Sequence, residues 1–346
     1  MQELKPFAAA TVLAAALVTA SVLPASAADA VTSFYAGKTV QVLVGFGPGG
    51  GYDLYARTLA RYMGRHIPGH PTMVPQNMPG AGSLKVMNYI YSVARKDGTA
   101  IGTFARGLVV EPLLGHAQGT QFDATKFNWI GSVSNEVGVC AFWYTSGIKT
   151  WEDMKTKPHS VGGSAAGADS DVFPIVLRNV YHLQTKLVTG FSGGGADINL
   201  GMERREVDGR CGWSWSSLVS QSRPLLEGKK INIVLQLALQ KHEDLPNVPL
   251  VMDLPASPQD KAAMKLIVSR QSIARPFAAP PGVPPERVKA LRDAFDATMK
   301  DPEFLNEMKR LALEVRPVNG MDVEALIKDV YASPPDVIKR AKEIER

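Results

Sequence analysis

Apolar and polar positions alternate between two periods along most of the chain. Residues 39–45 (TVQVLVG) are a β-branched run of strand length, and residues 53–66 then switch to helical spacing, with Leu54, Leu59, Tyr62 and Met63 on one side. A short strand is predicted at 72–75 and a helix at 83–94, with Leu84, Met87, Ile90 and Tyr91 inward. A third strand follows at 100–104, after the turn Lys96-Asp97-Gly98. This strand–helix–strand–helix–strand order predicts a parallel sheet with helices on its faces. The pattern restarts with strands at 137–144, 160–163, 186–189, 209–213 and 231–237, and with helices at 151–155, 171–183 and 196–205. Pro174 is tolerable in that second helix if it lies in the first turn. One more strand at 272–278 precedes a Pro-rich stretch and three helices, near 286–299, 302–313 and 322–343. These have nowhere obvious to pack except on the first unit. The fold class expected is therefore α/β with two lobes, 28–136 plus 272–346 and 137–271, a cleft between them, and two hinge crossings near 137 and 272.

The first residues depart from this pattern. Lys5 precedes a nearly uncharged stretch, 7–23, followed by Pro24 and Ala25-Ser26-Ala27. A basic start, an apolar region and an A-x-A site make residues 1–27 a secretory signal peptide with cleavage after Ala27, which predicts a periplasmic protein. Export shifts the expected chemistry away from cytosolic cofactors and reduced thiols. The two cysteines, Cys140 and Cys211, could pair if their Cα atoms lie within range, but the apolar runs around them point rather to two buried small hydrophobes. Two cysteines and histidines without ligand spacing predict no metal site. The net charge of +5 comes from scattered residues, with none of the clustered, aromatic-interleaved pattern of a nucleic-acid surface.

Four loops share one design, a strand, a Gly/Ser-rich turn and a helix start: 45–53 (GFGPGGGYD), 79–83 (PGAGS), 162–171 (GGSAAGADSD) and 192–197 (SGGGAD). Helix starts leave backbone N–H groups unpaired and carry partial positive charge, so such loops can hold an anion without a cationic side chain. The first loop matches G-x-G-x-x-G, yet the next strand ends in Pro75-Gln76-Asn77, with no acidic residue for a ribose, and no Gly-Lys-Ser/Thr follows. No dinucleotide or other cofactor is predicted. Asp53 could cap its helix or help shape a pocket, and Asn77 could bond a ligand or brace its loop. No nucleophile elbow, zinc-protease motif or spaced carboxylate pair appears, so nothing demands catalysis.

The ordered blocks YAGKTVQVLVGFGPGGGYDLYARTLARYM, QNMPGAGS, ARKDGTAIG, LPNVPLVMDL and FAAPPGVPPERVKAL resemble the extracytoplasmic solute receptors of tripartite tricarboxylate transporters, the Bug receptors. The resemblance covers essentially the whole mature chain. It implies a two-lobed periplasmic binding protein, acting as a monomer, that closes on a small organic acid and hands it to a two-component membrane permease. Carried over by position, the near set is Phe46, Gly47, Gly49, Gly50, Gly51, Tyr52, Asp53, Asn77, Gly80, Ala81, Gly82 and Ser83. The far set is Gly163, Ser164, Ala165, Ala166, Phe191, Ser192 and Gly193. Asp169 stands where relatives usually carry small hydroxyl residues. It would repel a bound anion unless it points away or caps the helix, or unless the ligand's far end is uncharged, aromatic or amine-bearing. Ser192 replaces a usual tyrosine, and Trp213 and Trp215 line that space or belong to the core. The rival readings are a sensory receptor docking on a membrane signalling protein and a periplasmic enzyme acting on an organic acid.

Overall fold

The structure is a computed structural model and describes residues 1–2, 27–115, 119–191 and 193–346. All but the ends of the expected leader lies outside the described residues, as does Ser192. The strands are β1 (Thr39–Val44), β2 (Thr72–Asn77), β3 (Ala100–Thr103), β4 (Asn128–Ser132), β5 (Gly138–Trp143), β6 (His159–Gly162), β7 (Thr185–Val188), β8 (Gly209–Ser214), β9 (Ile231–Leu237), β10 (Pro276–Ala279) and β11 (Val318–Asn319). The α-helices of the first two thirds are α1 (Ala27–Tyr35), α2 (Gly51–Met63), α3 (Leu84–Ser92), α4 (Glu111–Leu114), α5 (Trp151–Thr156), α6 (Asp169–Tyr181), α7 (Gly195–Glu203), α8 (Trp215–Gln221) and α9 (Arg223–Glu227). Then come α10 (Pro258–Val268), α11 (Pro285–Thr298), α12 (Pro302–Arg310), α13 (Gly320–Tyr331) and α14 (Pro335–Ile344). Among these described residues no helix is long and apolar enough to cross a membrane.

Two mixed sheets form two lobes. The first has the order β11-β4-β10-β3-β1-β2 and the second β7-β6-β8-β5-β9. The βαβ units read from the sequence supply the parallel pairs, β1 with β2 and β3, and β6 with β7 and β8. The strands next to the crossovers, β10, β4, β5 and β9, pair antiparallel. Both faces of each sheet are buried, so successive residues of a strand enter different cores. In β1, Val40, Val42 and Val44 enter one core while Leu43 enters the other, with Ile90 of α3. In β5, Cys140 and Phe142 face one core and Val139 and Ala141 the other.

Three sequence expectations change. The last predicted helix is two helices, broken at Ser333-Pro334-Pro335, because proline cannot continue α13. While α13 buries Val323 and Ile327 against the first sheet, α14 crosses back and buries Ala341 and Ile344 in the core of the second lobe. The segment 272–346 thus packs on both lobes, its last helix on the second. The docking of α14 is closed by an ion pair between Glu345 and Arg270 (2.7 Å), both side chains fully buried. Second, α6 starts at Asp169, so Pro174 sits in its second turn. Third, Cys140 and Cys211 form a disulfide between β5 and β8, with Cα atoms 3.9 Å apart. An irregularity between Val139 and Ala141 brings the two residues opposite one another on neighbouring strands, which their apolar setting could not reveal.

Closing a loop of 71 residues restricts the unfolded chain. Reducing the bond, or replacing both cysteines with Ser, is expected to lower the unfolding free energy by about 2–4 kcal/mol. Urea unfolding with and without reductant measures this, and an unchanged midpoint would show that strand pairing alone holds β8 in place.

Candidate functional site

Between the lobes, at the ends of the parallel strands, lies a cavity of about 590 Å³. Crevices at that position are the usual ligand sites of open α/β sheets. The first-lobe wall is the loop after β1 and the start of α2: Phe46, Gly47, Pro48, Gly49, Gly50, Gly51 and Tyr52. Gly49 has φ +84°, a left-handed conformation that glycine adopts without strain. Phe46 and Tyr52 stack at 4.5 Å. A cavity of about 610 Å³ beside α11 and α13 lies within the first lobe and touches none of the glycine loops.

Asp53 organises this loop from behind. The N-cap of α2 is Gly50, so Asp53 is the third helical residue and reaches back, its carboxylate accepting from the Gly49 N–H (2.8 Å) and from Arg57 Nε (2.8 Å). Asn77 Nδ2 donates to Asp53 Oδ1 (2.7 Å) and to the Phe46 carbonyl (2.9 Å), and Asn77 Oδ1 accepts from Arg57 Nη2 (2.7 Å). Asn77 therefore braces its loop with both ends of its amide. Burial alone would raise the Asp53 pKa, but the hydrogen bonds from Arg57, Gly49 and Asn77 outweigh it and hold the carboxyl below its ordinary range.

The second lobe repeats the device. Asp171, third in α6, accepts from the N–H groups of Ser164 (2.7 Å) and Ala165 (3.0 Å) and from Thr189 Oγ1 (2.8 Å). Asp197, third in α7, accepts from the Gly193 N–H (2.7 Å). The loop at 162–171 thus spends two of its donors on its own aspartate. Ser164, Ala168, Asp169 and Ser170 line the cavity, as do Gly193 to Asn199 of the fourth loop.

Asp169 is neither the helix cap nor a free carboxylate. The N-cap is Ala168, and Asp169 accepts from Arg106 Nε (2.7 Å), with Arg106 Nη2 at 2.6 Å, and from Gln271 Nε2 (2.8 Å). Arg106 comes from the first lobe, is buried, and also donates to Ser214 Oγ (3.3 Å). Burial opposes its charge, but Asp169 keeps the guanidinium pKa above its ordinary value. Across this pair, Gly212 of β8 has φ +71° and approaches so closely that a Cβ would lie 2.6 Å from the Asp169 carbonyl oxygen.

Several expected residues lie elsewhere. Gly82 rests against Ala165 and Ala166 of the opposite lobe, where a Cβ would sit 3.4 Å from that of Ala165, so the Gly80–Ser83 turn meets the other lobe and does not line the cavity. Ser83 is buried, and its Oγ accepts from the Ala105 N–H (2.7 Å). Gly163 packs on Asp171, and Phe191 packs on Gly162 and Gly201 behind the wall. Trp213 lines the cavity, whereas Trp215 belongs to the core and donates to Asp244 (3.2 Å).

Sequence reasoning missed the cavity's three arginines. Arg106 precedes no motif, and Arg275 follows the second crossing. Arg275 lies over the Tyr52 ring (4.7 Å), donates to Ser217 Oγ (3.0 Å), and stands 3.5 Å from Glu136. Arg210, on β8 beside Cys211, donates to the Gly195 carbonyl (2.8 Å) and to Asn199 Oδ1 (3.0 Å). Burial pushes its pKa down to about 9, so it is cationic at neutral pH. An arginine inside an apolar strand run was the available signal. Among the described residues no group of three or more His, Cys, Asp or Glu side chains is placed to hold a metal.

No family model matches the chain, and no curated protein sequence does either. Solved structures do match. The periplasmic binding protein BugD superposes with a TM-score of 0.70 at 21% identity, over 90% of this chain and 98% of its own. The malate-bound MatC of Rhodopseudomonas palustris gives 0.68 at 17% identity, over 89% and 99%. R. palustris Rpa4515 with adipate gives 0.68 at 17%, over 88% and 97%. The fold is that of the two-lobed periplasmic binding proteins. In this binding-protein fold the cavity occupies the crevice where the two lobes meet.

Two outcomes test the site's construction. Asp53→Ala is expected to cost roughly 1.5–3 kcal/mol, the range for hydrogen bonds to a charged group. Because the folded pKa of Asp53 is lowered, its contribution is complete above the ordinary carboxyl value and is lost as pH falls through the folded one. The deficit of Asp53→Ala measured by urea unfolding should therefore shrink below about pH 4; a deficit independent of pH would remove the carboxylate's charge from the account. Arg106→Met leaves Asp169 with only the more distant Arg270 Nη1 (3.9 Å) as a cation and should cost about 3 kcal/mol, with Asp169→Asn recovering part of it in the double variant. A loss well under 1 kcal/mol in chemical denaturation would show that the pair is not a constraint.

Proposed function

We propose that the protein is an exported receptor that captures a small organic acid between its lobes and delivers it to a membrane permease of the tripartite type. The observation that carries this is the inter-lobe cavity walled by glycine-rich helix starts. The N–H groups at the start of α2 have no intrahelical partners, and Asp53 and Asn77 hold their loop from behind. A carboxylate placed there exchanges water for fixed donors and the positive end of a helix, with little ordering left to do on binding.

Two structural neighbours hold malate and adipate, which supports a carboxylate ligand of that general size. The periplasmic setting of BugD, with the basic-apolar-small pattern of residues 1–27, supports export and cleavage after Ala27. The near-site residues are Phe46, Gly47 and Gly49 to Tyr52, with Asp53 and Asn77 as positioning groups. Capture is proposed without chemistry on the ligand.

Isothermal titration against dicarboxylates of four to eight carbons and aromatic acids is the direct test. Binding by at least one acid at micromolar concentration, with no product after prolonged incubation, is expected. Failure of every acid to bind would sink the proposal, and turnover of a bound acid would make the protein an enzyme.

A further inference from the structure

The cavity's three arginines differ in how their charge is met. Arg106 is paired with Asp169 and Arg275 faces Glu136. Arg210 is 7% exposed, yet among the described residues it meets no carboxylate within 4.0 Å, and its buried Nε has no hydrogen-bond partner. Its flat face lies over the Trp213 ring (4.7 Å), and its Nη1 is held by two neutral oxygens of α7. It packs on Gly195, the first residue of that helix, where a Cβ would lie 2.8 Å from Nη1. A helix start is itself electropositive, so this is an unfavourable place for a cation unless an anion arrives. The acidic residue in the first turn of α7, Asp197, is turned back to the Gly193 N–H, and Asp208, two residues before Arg210, accepts instead from the Ser160 N–H and Oγ. Burying an unmatched guanidinium is costly, and its fork is suited to receive a carboxylate.

We infer that Arg210 is the second-lobe acceptor for a second acid group on the ligand, so that the captured molecule is an organic diacid spanning the cleft. One carboxylate meets the glycine loop at α2 and the other meets Arg210, and Phe46, Tyr52 and Trp213 also line the cavity. Asp169 does not oppose this, because Arg106 already neutralises it. The inference rests on the receptor reading above and adds the chemistry of the ligand's far end.

The test is titration of the intact protein and its Arg210→Gln variant with matched probes: adipate against hexanoate, suberate against octanoate, and benzene-1,4-dicarboxylate against benzoate. Wild type should prefer at least one diacid over its partner monoacid. In the variant that diacid should weaken at least about 30-fold, the lower bound for losing one member of a buried hydrogen-bonded charge pair. Monoacid binding should change little. A preference that survives Arg210→Gln, or an equal loss for both members of a pair, overturns the inference. Monoacids binding wild type as tightly as diacids overturns it while leaving the receptor reading intact, and no binding by any probe overturns both. The thermal midpoint of the unliganded variant is an independent readout. It should be unchanged or higher, because an unmatched charge has been removed, and a clear fall would assign Arg210 a structural role instead.

Discussion

A guanidinium from one lobe and a carboxylate from the other meet beneath the cleft, and much of the site follows from that contact. Arg106 and Asp169 are largely removed from water and meet at 2.6 Å, with Arg270 a more distant second cation for Asp169 (3.9 Å). Gly212 of β8 leaves room for the Asp169 backbone, and the pairing turns the Asp169 carboxylate away from the role of a free charge in the cavity. It also leaves Arg210, one strand position before the disulfide at Cys211, as the cavity cation without a matching carboxylate among the described residues. The electrostatic character of the cleft is therefore a remainder, decided by which charges the lobes have already cancelled.

A second regularity runs through the loops. In α2, α6 and α7 an aspartate at the third helical position reaches back to backbone N–H groups of the glycine-rich turn before it. This fixes loops whose glycines would otherwise cost conformational entropy to order. The consequence differs with the number of donors used. Asp53 takes one N–H of its loop and leaves the α2 start facing the cavity, whereas Asp171 takes two from the third loop. Loops that look alike in sequence are therefore unequal as places for an anion.

Much of the architecture was legible because periodicity and turn residues are local signals. The parallel units β1–β3 and β6–β8, the glycine loops and the starts of α2 and α7 fall close to their expected places. Strand β4 and the helices α8 to α10 went unseen. NWIGS and WSSLVSQ are short and do not show one clear period, so burial supplied by neighbours decides their form. The helix α14 was read as part of its predecessor because its apolar positions continue the spacing across two prolines. Its docking on the other lobe depends on a complementary surface around α10 that no local pattern announces.

The sequence by itself determined the elements, the division into two α/β lobes and the concentration of glycine at helix starts, since these follow from side-chain spacing and backbone freedom within short windows. Only the tertiary structure decided which loops face the cleft, that Cys140 and Cys211 bond, that Gly82 meets Ala165 rather than the cavity, and how Arg106, Arg210 and Arg275 divide their partners. Those outcomes depend on pairs far apart in the chain, and the strength of a charge or an unpaired donor depends on whether water has been excluded around it.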